Sequence, residues 1–246
     1  MKNKIAFHIG CSGFYNSHWR GIFYPEKLPQ KDWFDFYSKQ FNSVEINATF
    51  YKFPTAESLG KWSKKSPDNF LFSVKAPRII THFKKFIDCK EQLSDFYAAC
   101  GNGLGDKLSC TLFQLPPGIH FEQDTLLRII GSLDTKFKNV IEFRHKSWWR
   151  QSVYDLLSKS NITFCSTSHP SLPSTVIKNS ATGYIRLHGK EKMFYSSYSD
   201  GSLHLLYQAV SRKKFKDVYI YFNNTAGIAG VMNAKQLQEI VVGPGA

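Results

Sequence analysis

Eight short runs rich in β-branched and aromatic residues recur along this chain, and segments with helical spacing separate them. The runs are Ala6–Cys11, Ser43–Asn47, Phe70–Ala76, Cys110–Leu115, Asn139–Arg144, Thr163–Ser166, Gly183–His188 and Val218–Phe222. Between them lie amphipathic stretches at Asp32–Phe41, Ala56–Lys65, Glu91–Gly101, Gln123–Leu133, Ser152–Ser160 and Leu203–Arg212, and a last one, Ala234–Val241, follows the eighth run. Only the link Ser168–Ala181, with Pro170 and Pro173, lacks a helical period. Strands separated by helix-length crossovers pair in parallel, with the crossovers right-handed. Eight of them in strict alternation predict a closed α/β barrel of the TIM type, (β/α)8, as one domain over residues 1–246. An open doubly wound sheet is the competing arrangement. Against it, Gly10-Cys11-Ser12-Gly13 after the first run is too short for a dinucleotide-binding turn and opens no clean helix.

Composition fits that reading. Hydrophobic residues make up 42% and charged residues 21% of 246 positions, ordinary globular values. The start, Met1 to Gly10, has basic residues but too short an apolar run for a signal peptide, and no stretch is long enough to span a bilayer. A cytoplasmic protein with no membrane partner is expected. Five cysteines without a Cys-x-x-Cys pair suggest buried thiols rather than a disulfide framework or a zinc knuckle. The net charge of +13 favours acidic partners, nucleic acid among them. The basic clusters Lys64-Lys65, Lys84-Lys85 and Arg212-Lys213-Lys214 are, however, scattered over separate elements rather than striped.

Side chains alternate along a strand, so residues two apart share a face. With Ile185 and Leu187 turned to the helices, Arg186 and His188 face the barrel interior; with Ile141 and Phe143 outward, Glu142 and Arg144 face inward. By the same reasoning Glu45 and Asn47 from the second strand, Lys75 from the third, Gln114 from the fourth and Asn223 after the eighth share that interior. Barrel interiors are normally filled with branched apolar side chains, and buried charge is costly unless paired. Polar groups gathered at the C-terminal strand ends therefore predict a functional pocket. The alternative is a salt-bridge network that merely closes the barrel. A structure showing these groups sealed and mutually paired would favour it.

Nearly end to end, the chain resembles family 72 of the domains of unknown function, the YecE-like proteins. The resemblance rests on Gly10-Cys11-Ser12-Gly13, Trp19-Arg20-Gly21, Phe23-Tyr24-Pro25, the run Val44 to Tyr51, Pro54, Lys75-Ala76-Pro77 and Thr81-His82. It continues through Phe113-Gln114-Leu115-Pro116-Pro117, Glu142-Phe143-Arg144-His145, Ser147-Trp148, Tyr184 to Gly189, Phe222-Asn223-Asn224-Thr225 and Asn233-Ala234. It implies a TIM-type barrel and supplies no activity. Two departures stand out. The family usually carries Thr where this chain has Cys11, which argues against Cys11 as a required nucleophile. The acidic residue common after the sixth strand is replaced by Cys165-Ser166-Thr167-Ser168-His169-Pro170.

Within the predicted pocket, Glu45 and Glu142 suit general acid–base work if one is raised in pKa and the other ionised; each is equally suited to be simply the partner of Lys75 or Arg186. His188, at the lip of its strand before Gly189, is the favoured proton-transfer residue. His82 reaches for the same mouth, and His145 is read as structural. Lys75, Arg144 and Arg186 argue for an anionic ligand bearing phosphate or carboxylate, with Asn47, His82, Gln114 and Asn223 as further contacts. Those same cations disfavour a metal at Glu45, Glu142 and His188, and no motif indicates a cofactor. Asn223-Asn224-Thr225-Ala226-Gly227 is either a phosphate-binding loop or a helix-capping turn. Trp19, Phe23, Tyr24, Phe50, Tyr51, Trp148 and Trp149 either stack a base or sugar or form the core of a lid. Three functions follow: an enzyme on an anionic small molecule, a nucleic-acid-binding or phosphodiester-processing barrel, and a non-catalytic ligand-binding barrel.

Overall fold

The structure, a computed structural model, describes residues 5–243; the first four residues of the segment read for a leader lie outside it. The strands are β1 (Ala6–Cys11), β2 (Ser43–Ile46), β3 (Leu71–Lys75), β4 (Leu108–Gln114), β5 (Asn139–Glu142), β6 (Thr163–Ser168), β7 (Thr182–Leu187) and β8 (Asp217–Phe222). All pair in parallel, in the order β1-β8-β7-β6-β5-β4-β3-β2. The helices are α1 (Trp33–Gln40), α2 (Ala56–Lys65), α3 (Lys90–Leu104), α4 (Gln123–Ser132), α5 (Gln151–Lys159), α6 (Asp200–Ser211) and α7 (Ala229–Val242). The expected (β/α)8 barrel is the fold, and the link between β6 and β7 carries no helix.

β1 and β2 stand at the two ends of the hydrogen-bonded order, and side chains close the gap between them. Asn42 bridges it, its Oδ1 accepting from Ile9 N at 3.0 Å and its Nδ2 donating to Phe7 O at 2.9 Å. The Tyr37 hydroxyl accepts from Cys11 N at 2.7 Å and donates to Ser43 O at 3.2 Å. A Cβ at Gly10 would collide with the Ser43 carbonyl oxygen, so the close approach of the two strands requires glycine there.

Two apolar layers result. The larger lies between strands and helices and takes most of the aromatic residues. The smaller fills the lumen with Cys110, Leu112, Val140, Cys165, Tyr184, Tyr219 and Tyr221. The lumen thus has an apolar and phenolic base, and its charged residues sit above it toward the strand C-termini.

Some boundaries differ from the sequence reading, for local reasons. α3 runs on past Gly101 to Leu104, because Gly103 lets it lie against α2: a Cβ there would come within 2.8 Å of Ala56 O and Leu59 Cβ. α7 begins five residues early, at Ala229, so Asn233 is a buried helical residue. Arg144 and His188 lie two residues and one residue past their strands but keep the inward direction.

Candidate functional site

The alternation argument brings together the residues it was expected to. Glu45 ends up beside Arg186, on the far side of the barrel. Its Oε1 accepts from Arg186 Nη2 at 2.7 Å, both oxygens lie within 3.1 Å of Arg186 Nε, and Ser12 Oγ and the Tyr184 hydroxyl donate to it at 2.6 and 2.7 Å. The third guanidinium nitrogen, Nη1, donates to Glu142 Oε2 at 2.6 Å. Glu142 Oε1 contacts the Arg144 guanidinium and lies 3.0 Å from His188 Nε2. His188 Nδ1 is 2.9 Å from Asn223 Nδ2. With the Asn223 amide donating, the imidazole is the Nε2–H tautomer and donates to Glu142.

Glu45, Glu142, Arg186 and His188 are each completely buried. The three residues expected to do acid–base work are therefore sealed, Glu45 paired with Arg186 and Glu142 with Arg186 and His188. Burial opposes charge on Glu142, but Arg144 and Arg186 outweigh it and hold the carboxyl well below its usual range. Arg186 is desolvated as well, yet the two glutamates hold its proton firmly. Burial drives His188 down to about 3, despite Glu142, so it is neutral at physiological pH. The floor of the site is a compensated ionic cluster.

Solvent reaches the layer above. Arg144 and Lys75 retain a little exposure, and Asn47, Phe50, His82, Gln114 and Asn223 are half-buried. Lys75 ends β3 with its backbone fixed by Thr49 Oγ1, which donates to the Lys75 carbonyl at 2.6 Å. Its amino group donates to Gln114 Oε1 at 2.7 Å and rests 4.1 Å from the centroid of the Phe50 ring. Burial, then Arg186, lowers Lys75 to about 7, and Glu142 and Glu45 only partly oppose this. His82 stands edge-on to Phe50 and is pushed down to about 4 by burial and by Lys75. Asn47 Oδ1 is buried without a hydrogen-bond partner among the described residues.

Other expectations resolve by packing. Trp19, Phe23, Tyr24 and Trp148 are buried in the outer core, with Tyr24 stacked on Trp33 at 4.7 Å and Trp148 on Phe143 at 4.1 Å. Trp149 packs edge-on to Phe164. Of that set, Phe50 and the exposed Tyr51 remain as mouth residues. In the Asn223–Gly227 segment the side chain of Asn223 holds His188, and that of Asn224 donates to Ser196 O at 2.9 Å and lies against Asn233. Asn233 in turn fixes the backbone of Tyr198. Cys11 is sealed, and burial pushes its thiol well up, against nucleophilic use. His145 stacks on His120 away from the cluster.

One residue of the mouth escaped the sequence reading. His169, just past β6, places its ring 5.8 Å from that of His188 and is lowered by burial and by Arg144. Its position directly after a strand was the available signal. The set considered for a metal, Glu45, Glu142 and His188, is threaded by Arg186 and flanked by Arg144, whose charges oppose a cation there.

A parallel (β/α)8 barrel with an ionic cluster spanning its lumen at the C-terminal end defines the class of protein. Residues 8–244 match the family described as "Protein of unknown function DUF72", and the chain belongs to that family. It is 25% identical to the UPF0759 protein YunF of Bacillus subtilis, over 95% of this chain and 94% of that one. It is 28% identical to the UPF0759 protein YecE of Escherichia coli, over 46% of this chain and 42% of YecE. Among solved structures, a DUF72 family protein from Thermotoga maritima superposes with a TM-score of 0.88 at 27% identity, covering 97% of this chain and all of that one. One from Enterococcus faecalis, at 18% identity and a TM-score of 0.84, shares the fold over 98% of this chain and 97% of that one.

Proposed function

We propose that the C-terminal mouth of the barrel binds a small molecule bearing a carboxylate or phosphate, and that the chemistry done on it uses Lys75 for proton exchange. The charge count carries this reading. Two carboxylates, Glu45 and Glu142, face three cationic side chains, Arg186, Arg144 and Lys75. Arg186 is consumed by the glutamates, and Lys75 is bonded to a neutral amide oxygen. The excess positive charge therefore lies in the layer that retains exposure, where a guanidinium and an ammonium suit one anionic group. Asn47 Oδ1 supplies an acceptor for a ligand hydroxyl. Glu142 acts by position: it holds Arg144, and His188 orients Glu142.

The direct test is calorimetric titration with glycolate, inorganic phosphate and a neutral polyol. Saturable binding of an anion, lost in the double variant Lys75→Met/Arg144→Gln, is the expected result. Equal responses from the wild type and the double variant would contradict the reading.

A second reading, nucleic-acid binding, is favoured by one surface feature. Arg78 lies against the exposed rings of Tyr51 and Phe83, 5.9 and 5.4 Å from their centroids, on loops beside the same mouth. Such a patch suits base stacking, and with the net charge of +13 it should give binding that weakens steeply with salt. Absence of salt-sensitive binding to single-stranded DNA and RNA removes this reading and leaves the first intact.

A further inference from the structure

The link between β6 and β7 carries no helix, and the outer wall of the barrel is open beside it. Side-chain hydrogen bonds pin this link back onto β6. Ser166 Oγ accepts from Ile177 N at 2.8 Å, and Asn179 accepts from Phe164 N at 2.9 Å and donates to Ile162 O at 2.8 Å. α6 packs on α7, and another of its flanks faces the link. Between link and helix lies an open cavity of about 520 Å³, within the range of small-molecule sites, ~300–1,000 Å³.

Its walls are largely apolar. Val176 of the link, Leu187 at the end of β7, and Leu205, Leu206 and Ala209 of α6 line it. Together with Ser202 before them and Arg212 and Lys213 after them, the α6 residues recur three and four apart and form one stripe. Leu203 and Val210, fully buried in the core, already fasten α6 to the barrel. The stripe is surplus to that packing, and Leu205 is 68% exposed. Lys190, just past β7, stands at the rim, while Arg212 and Lys213 close the far end of the stripe, roughly 16 Å from Ser202 at the helical rise. No acidic residue lines the cavity, and among the described residues none of the three cations has a carboxylate within ion-pair distance.

We propose that this cavity binds an aliphatic carboxylate, its chain along the α6 stripe and its head group at Arg212 and Lys213. A methylene chain gains with each apolar group it covers, and the arginine fork suits both carboxylate oxygens. A second copy of this chain would bring the same cations and a net charge of +13 to the face, which opposes self-association. A partner's helix does not find the sheet open to it, because Leu172 and Val176 of the link are buried there. The site shares no residue with the one proposed at the mouth, and the two stand or fall separately.

The experiment is calorimetric titration of the full-length protein at pH 7 with decanoate, below its micelle-forming concentration. Saturable one-to-one binding is expected. Butanoate, with the same head and a short chain, should bind at least about tenfold more weakly. Decyltrimethylammonium, with the same chain and the opposite charge, should also lose at least about tenfold. Ala209→Trp, which fills the cavity, should abolish decanoate binding, and the pair Arg212→Ser/Lys213→Ser should weaken it about fivefold. Leu205→Gln alters a side chain already exposed, so it tests the apolar wall even where the tryptophan variant fails to fold; severalfold weakening is expected. Glycolate, the probe for the mouth, should not displace decanoate. Four outcomes would each overturn the proposal: no binding of decanoate, equal binding of the ammonium, binding unchanged in the folded variants, or displacement by glycolate.

Discussion

The floor and the rim of the barrel mouth are built from similar residue types and do opposite things with them. On the floor, the three guanidinium nitrogens of Arg186 are all taken by Glu45 and Glu142, and each glutamate draws further donors from Ser12, Tyr184, Arg144 and His188. A buried ion cluster holds when its geometry returns what desolvation costs, and here nearly every charged atom has a partner. On the rim, Lys75 and Arg144 remain partly exposed, and Lys75 has only a neutral acceptor. Charge completed by protein is scaffold, and charge left incomplete near solvent is where we propose that a ligand binds.

Arg186→Met should produce the largest effect. It strands two buried carboxylates, and a loss of about 3–5 kcal/mol in urea unfolding is expected. A loss below about 1 kcal/mol would mean that the floor is not a compensated unit.

Lys75→Met comes next and should act in the opposite direction. The Lys75 pKa is about 7 in the folded chain and about 10.4 when exposed. Its burial therefore costs nothing above the higher value, and the penalty grows as pH falls toward 7. The substitution should stabilise the protein by about 2 kcal/mol at neutral pH and by much less above pH 10, while anion affinity falls at least about tenfold. Destabilisation at pH 7 would place Lys75 with the floor.

Arg144→Gln should give the smallest change in stability, about 1.5 kcal/mol, because Glu142 retains Arg186 and His188. Anion affinity should still fall about tenfold, the loss of one charge-assisted contact. An unfolding midpoint that moves as far as that of Arg186→Met would erase the distinction between the two layers.

The fold was legible because two periodicities, alternation in strands and helical spacing between them, agreed over the whole chain. The convergence of Glu45, Lys75, Gln114, Glu142, Arg144, Arg186 and His188 was legible for the same reason: alternation specifies a face. How those charges would pair was not, because that depends on which strands end at the same height around the barrel. Glu45 and Arg186 lie 141 positions apart in sequence and meet across the lumen. Sealing was also invisible. His188 looked like a titrating histidine from its place at a strand end, and only the surrounding burial shows that it is neutral. The aromatic loops were ambiguous because Trp and Tyr serve a core and a stacking surface equally well, and partners such as Trp33 and Phe143 decided the matter.

Proton uptake on binding tests the division between floor and rim most directly. An anion beside Lys75 should raise its pKa above about 7, so affinity is full below that value and declines as pH rises through it. Calorimetric titration of glycolate at pH 8, in buffers of different ionisation enthalpy, should show protons taken up from solution, and Lys75→Met should abolish the uptake. Binding without proton uptake, or uptake that persists in Lys75→Met, would contradict the account.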